Sequence, residues 1–424
     1  MFRQIIRLIP LLFTVFIDSL GFGLVFPIFS PMLIDNTGGM FSPDVSLAMR
    51  GLVFGVLIST YCIGQFFGGP LLGALSDRMG RKKVLVGSMW VAFLAYIMAG
   101  FGVIFQSLFV LFFARLLGGV AAGSYAVAQS VIADLSTEKN KAKNFGLLGM
   151  AWGSGFVIGP YLGGKLAAFG YTAPFAGASL FCLVNAILLI FKLKESIARL
   201  IPTKINWFSG IYQIRRAFSL PHLRSIFIVM FIFYLGWGFF TEFSPVFLSR
   251  YFGFNVGQIA NFYAWVGLWV ALCQGILIRP LLKIFAPEKL LPVALLALGL
   301  ILPIFLFVQG IVSLFWIIPF VAFSQALIFP TSATMVSNVS SDEAQGEVLG
   351  IYSSVQWAAI AISPLFSGSL VALYPHLPIT LGSGCMLIAS GVFVWQYRRK
   401  KGALPKVEKE ELLQEEKGTL PQEE

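Results

Sequence analysis

A 424-residue chain with 58% hydrophobic and only 12% charged residues carries about half the charge of an ordinary soluble domain, and a mean hydropathy of +0.85 excludes one. The apolar residues gather in twelve segments at regular spacing, which predicts a polytopic membrane protein with little length left for soluble domains. The net charge of +11 points on its face to nucleic acid. On a twelve-span topology with both termini inside, however, only Arg50, Lys165 and Arg250 fall outside and only Arg115 falls within the membrane. The positive charge therefore marks the cytoplasmic face, and no nucleic-acid partner is expected.

The first span runs from about Leu8 to Phe29 and carries Asp18, Gly21, Gly23 and Pro27. Asp18 lies eleven residues past Arg7, about 16 Å into the bilayer at helical rise, where a carboxylate needs water or a partner. No small-residue cleavage site follows, so this segment reads as an uncleaved span. Span two, about 48 to 71, contains Tyr61 and Gln65, and span three covers about 84 to 105. Between them stands a short basic stretch, Gly73-Ala-Leu-Ser-Asp77-Arg78-Met-Gly80-Arg81-Lys82-Lys83, predicted to be a tight cytoplasmic turn. Its glycines permit close approach of helix ends.

Span four, about 107 to 132, holds Arg115 some eight residues deep, followed by small residues from Gly118 to Gly123 that suit a tight helix contact. A charged cytoplasmic loop from Asp134 to Lys143 leads into span five, about 144 to 167, where Gly146, Gly155, Gly159, Pro160, Gly163 and Gly164 strip side chains from one helix face. Span six, about 171 to 191, ends in Lys192 and Lys194. The stretch 195–224 reads as a cytoplasmic linker with an amphipathic helix lying on the membrane surface. Spans seven to twelve follow at about 225–248, 258–279, 289–309, 312–336, 347–373 and 376–397. A tail from Arg398 to Glu424 is expected to be disordered.

Sliding the chain by 204 residues lays Gly146 on Gly350, Pro160 on Pro364 and Gly164 on Gly368. The chain is thus an N-terminal six-helix bundle, 1–194, a linker, 195–224, a C-terminal bundle, 225–397, and a tail, 398–424. Glu242, in span seven, lies toward the outer surface, where attraction of cationic substrates competes with a plain headgroup position. Gln129, Gln274, Gln325 and Gln356, with Tyr61 and Gln65, are cavity candidates or interhelical hydrogen-bond partners. The cysteines, Cys62, Cys182, Cys273 and Cys385, have no metal-like spacing and read as packing residues. There is no Gly-x4-Gly-Lys-Ser/Thr loop, so ATP is not the expected energy source.

The basic stretch resembles the signature loop of the major facilitator superfamily, matched at Gly73, Leu75, Asp77, Arg78, Gly80, Arg81 and Lys82. The span-five glycines and Pro160 resemble the motif that accompanies its proton-driven exporters, and Asp18 with Gly21, Gly23 and Pro27 resembles the first-span motif of its twelve-span drug:proton antiporters. Arg115 and Gly119 match that family's span-four pattern, with Gly118 where a glutamine is expected. The resemblance implies an all-α membrane protein of two pseudo-symmetric six-helix bundles, a monomer of the inner (plasma) membrane, and a transporter and not an enzyme. It implies no cofactor or metal, and small-molecule substrate, protons and the lipid bilayer as partners. On that reading Asp18 carries the proton with Arg115 beside it, while Asp77, Arg78 and Arg81 latch the cytoplasmic face, with Asp134 as a further partner. Export of small amphipathic molecules is the expectation; a metabolite importer or exchanger, and a sensor that has lost transport, are the alternatives.

Overall fold

The computed structural model describes residues 2–24, 26–136, 138–196, 209–338 and 345–403, and they are helical almost throughout. In hydrocarbon every backbone N–H and C=O must be satisfied within its own segment, and long helices achieve that. The first half consists of α1 (Phe2–Gly23, continued by Phe26–Phe29 and a π-turn at Ser30–Ile34), α2 (Leu47–Met79), α3 (Arg81–Ile104), α4 (Leu108–Ala122, continued past Gly123 as Ser124–Leu135), α5 (Glu138–Leu166) and α6 (Ala173–Lys192). A short helix, α7 (Ser209–Ser219), precedes the second half. That half comprises α8 (Pro221–Phe252), α9 (Val256–Leu272, continued through a π-turn to Ile284), α10 (Pro287–Ile301, with a 3-10 turn to Leu306), α11 (Ile311–Asn338), α12 (Gln345–Leu373) and α13 (Leu377–Ala403). The last helix runs beyond the expected end at 397, and residues 404–424 of the expected tail lie outside the described residues.

Among the described residues, nine helices are long and apolar enough to cross a membrane. The remaining rods stand where spans five, eight and eleven are expected: α5 and α12 are each 29 residues long, and α9 is broken at Leu272. Large apolar side chains such as Phe109, Phe191, Phe307 and Trp316 point outward, a surface suited to acyl chains. Local chemistry sets the helix ends. Ser46 caps α2 through the Met49 N–H, Ser107 caps α4 through the Val110 N–H, and Asn255 with Gln258 forms a capping box on α9.

The basic turn is tighter than the sequence suggests. Gly73 to Met79 continue α2, and Gly80 alone, at φ 101°, turns the chain into α3. A β-carbon at Gly73 would meet open space, so the close approach expected there occurs only at Gly80.

The two halves meet at the end of the molecule opposite this turn. Gly51 and Gly55 of α2 lie against the carbonyls of Gly368 and Pro364 of α12, leaving no room for a β-carbon on either glycine. Gly164 of α5 packs on Ala260 of α9. Arg250 donates to Asp35 at 3.3 Å and Ser249 at 3.1 Å, tying α8 to the end of α1. Gly164 and Gly368, which the 204-residue register lays on one another, thus both stand at contacts between the halves.

Candidate functional site

The site begins with a glycine contact between α2 and α4. Gly64 and Gly68 of α2 face Leu116, Val120 and Gly119 of α4 so closely that a side chain on either would strike backbone. Gly119 and Gly123 return the contact against Tyr61 and Gly68. This registers α4 so that Ser124, directly after Gly123, donates its hydroxyl to the Asp18 carboxylate. About two and a half turns before, the Arg115 guanidinium lies over the Tyr61 ring, 4.2 Å from its centroid, with the Phe29 ring at 5.6 Å. The Tyr61 hydroxyl in turn donates to the Asp18 carbonyl at 3.3 Å.

Asp18 and Arg115 are both buried, at 7% and 2% exposure, yet neither has an ion-pair partner among the described residues. The two are not paired with each other. The place of a pair is taken by a hydroxyl for the acid and aromatic faces for the base. The Arg115 Nε and Nη2 make no hydrogen bond and border a pocket no larger than a water molecule, shared with Tyr61, Tyr96 and Phe175.

A second crossing holds α1 from the other side. Gly155, Gly159 and Gly163 of α5 lie on the backbone of α1 between Phe16 and Leu24, and Gly23 lies against Pro160. Ser19 donates to the Trp152 carbonyl at 2.6 Å. The acidic motif of span one and the glycine-proline motif of span five are two sides of one contact. Gly146 belongs to the same helix, further toward the basic turn. Gly21 leaves room for the Tyr96 hydroxyl, which occupies the place a side chain would take.

Glu242 lies beside Ser363, next to the Pro364 contact at the end opposite the basic turn, but it is enclosed by helices and not at the protein surface. It is 1% exposed within α8, with one oxygen 3.4 Å from the Ser363 hydroxyl of α12 and Oε1 without a hydrogen-bond partner. Further along α1, Phe22 packs on Tyr61, Phe156 and Trp357, and Phe54 packs on Phe243. These rings bridge the halves.

Of the other cavity candidates, Gln65 and Gln325 each keep a buried Oε1 without a partner, Gln129 bonds Tyr125, and Gln356 is half-buried. The second half also contains a hydroxyl chain that the sequence reading missed: Tyr234 to Tyr352 at 3.1 Å and Tyr352 to Ser332 at 2.8 Å. Ser124 was missed as well; the paired Gly-x3-Gly spacings at Gly64/Gly68 and Gly119/Gly123 are the signal that would have found it.

At the basic turn, Arg81 binds Asp134 at 2.6 Å and Asp77 at 3.1 Å, and Ser196 donates to Asp134 at 2.9 Å. Glu195 accepts from the backbone N–H groups of Arg81 and Lys82, at 2.9 and 3.2 Å, capping the N-terminus of α3. Lys82 donates to the Ile190 carbonyl at 2.7 Å, and Arg78 is exposed. Asp134 is the partner anticipated; Glu195 and Ser196 were not foreseen. These groups come from the first half and, with Glu195 and Ser196, from the first two residues of the linker.

Residues 11–364 match the family model described as Major Facilitator Superfamily. The chain belongs to the major facilitator superfamily. It is similar to the Multidrug resistance protein 2 of Bacillus subtilis, at 25% identity over 93% of this chain and 96% of that one. It is similar also to the class C Tetracycline resistance protein of Escherichia coli, at 30% identity over 86% and 89%. The Quinolone resistance protein NorA of Staphylococcus aureus is 27% identical over 90% and 94%. Among solved structures, a D-xylose-proton symporter superposes with a TM-score of 0.74 at 16% identity, covering 91% of this chain and 97% of that one. The human organic anion transporter MFSD10 superposes at 0.70 and 21%, covering 92% and 99%. Both likenesses show the fold. As a member of the superfamily the protein is a membrane-embedded transporter of small molecules, a class of transport proteins and not of enzymes, with drug-efflux relatives.

Proposed function

We propose that this protein exports small amphipathic molecules from the cytoplasm in exchange for protons, with Asp18 as the proton carrier. The observation that carries the reading is the environment of Asp18: a buried acid whose carboxylate has, among the described residues, a hydroxyl and no cation for a partner. A carboxyl group in that setting can exist neutral or charged without breaking an ion pair, as a carrier must. Arg115, parked on Tyr61, supplies positive potential nearby without neutralising the acid. The drug-efflux relatives support the direction and the substrate class.

On this reading the chain has twelve spans, its basic turn and both termini lie in the cytoplasm of a cell with the protein in its inner membrane, and it works as a monomer. The bundles 1–194 and 225–397 rock about the central path, and the conformation described is closed on the outside. The Asp77, Arg78 and Arg81 latch reaches the second half only when the cytoplasmic side closes.

The test is pH inside proteoliposomes containing the purified protein, with candidate compounds added in turn and Asp18→Asn alongside. Proton movement that depends on substrate and disappears in the variant is the expected result. Proton and substrate moving the same way would make the protein an importer, and substrate movement without protons would return Asp18 to a structural role.

A further inference from the structure

The helices α2 and α12 belong to different halves and run side by side. Near Gly51, Gly55, Pro364 and Gly368 their backbones are in direct contact. Toward the basic end, α7 lies between them. Gly210 sits on Phe66 of α2, whose ring carbons would be 2.9 Å from a β-carbon there. Gln213 accepts a hydrogen bond from Ser354 of α12. Ala217 is fully buried.

The sequence of α7 is built for this seat. Gly210, Gln213, Ile214 and Ala217, at i, i+3, i+4 and i+7, form one face, and the two tightest positions on it carry the smallest side chains. Ile211, Tyr212 and Phe218 form the opposite face, exposed at 52%, 59% and 41%, with Arg215 beside them. The linker helix expected on the membrane surface is thus lodged between the halves by its small-residue face, and its apolar, basic face is turned outward.

We propose that α7 is a removable wedge. A helix with side chains is about 10–12 Å across, so α2 and α12 cannot meet at the basic end while α7 occupies the space between them. Rocking of the halves closes one end as it opens the other. The glycine contact at Gly51 and Gly368 therefore opens only when α7 leaves. The helix is joined to α8 through Leu220 alone, and its segment toward the first half is anchored where Glu195 and Ser196 meet the basic turn. It swings out on these tethers, and its Ile211, Tyr212, Phe218 and Arg215 face then rests on the inner leaflet, where apolar and basic groups are both accommodated.

The inference rests on alternating access and not on protons, direction or substrate, so its test needs none of them. In a full-length protein whose four native cysteines are replaced by serine, Gln213→Cys and Ser354→Cys are joined by a short, reducible bis-methanethiosulfonate linker. Hydrogen–deuterium exchange is then followed over 47–58 and 362–373. Exchange there is expected to fall about tenfold in the cross-linked form and to recover on reduction. Ser354→Ala, which loosens the seat without a cross-link, should raise it. Exchange unchanged by the cross-link, or unchanged by Ser354→Ala, overturns the wedge. A protein that exchanges as expected but moves no protons in liposomes would leave the wedge standing and remove only the proton.

Discussion

The two buried acids, Asp18 in the first half and Glu242 in the second, sit beside corresponding helix crossings that are built differently. The 204-residue register that lays Pro160 on Pro364 also lays Gly159 on Ser363. In the first half that position is bare, α5 lies on the backbone of α1, and Asp18 takes its hydrogen bond from Ser124 of a third helix. In the second half the position carries a hydroxyl, and this hydroxyl faces Glu242. The comparison teaches that one repeat has used the crossing for close contact and the other for polarity. Asp18 is clamped between two tight helix contacts, whereas Glu242 retains an oxygen with nothing bound to it.

The largest effect is expected where the clamp meets the chemistry. Asp18→Asn should reduce substrate-dependent proton movement to background in liposomes, for every substrate. Glu242→Gln should separate substrates by charge. If Oε1 awaits a cationic group, losing that charge-assisted bond costs about 1.5–3 kcal/mol, so affinity for cationic compounds falls about 10- to 100-fold in equilibrium binding while neutral ones bind as before. Equal loss for both kinds would show that Glu242 and Asp18 do not divide the work.

Exchanging the crossings sharpens the contrast. Gly159→Ser places a side chain on the Leu20 carbonyl and should destabilise the protein by about 1–3 kcal/mol, read as a lower thermal midpoint in detergent. The reciprocal Ser363→Gly removes a hydroxyl shared between Glu242 at 3.4 Å and the Ile360 carbonyl at 3.2 Å, and should lower stability by about 1 kcal/mol with transport retained. The smallest effect belongs to Gly350→Ala, where a β-carbon meets open space: a gain of about 0.5–1 kcal/mol is expected from helix propensity alone, and a loss would mean that the corresponding glycines of the two halves share a contact.

Much of this was legible in the sequence. The apolar runs give the rods, and the motifs around Gly80, Asp18 and Pro160 each mark a real junction, because glycine and charge in a membrane span both need a physical reason to be there. What stayed hidden is pairwise. Asp18 and Arg115 are the obvious ion pair on a list of intramembrane charges, yet the glycine contact between α2 and α4 fixes a register in which Ser124 and the Tyr61 ring arrive first. Counting residues from Arg224 gives Glu242 a depth along its helix but not its burial, which depends on the surrounding helices, and α12 covers it. The linker helix was recognised by its amphipathic pattern, but that pattern does not distinguish a lipid surface from a cleft between two bundles.

The attachment of Glu195 and Ser196 to the basic turn has a consequence for how the chain may be cut. These two residues finish the first half by capping α3 and binding Asp134, and α7 begins the second half by seating against α12. A break in the peptide between Ser196 and Ser209 leaves both docking points intact. Two fragments, 1–196 and 209–424, made separately in one cell are therefore expected to assemble, read as co-purification of one with the other.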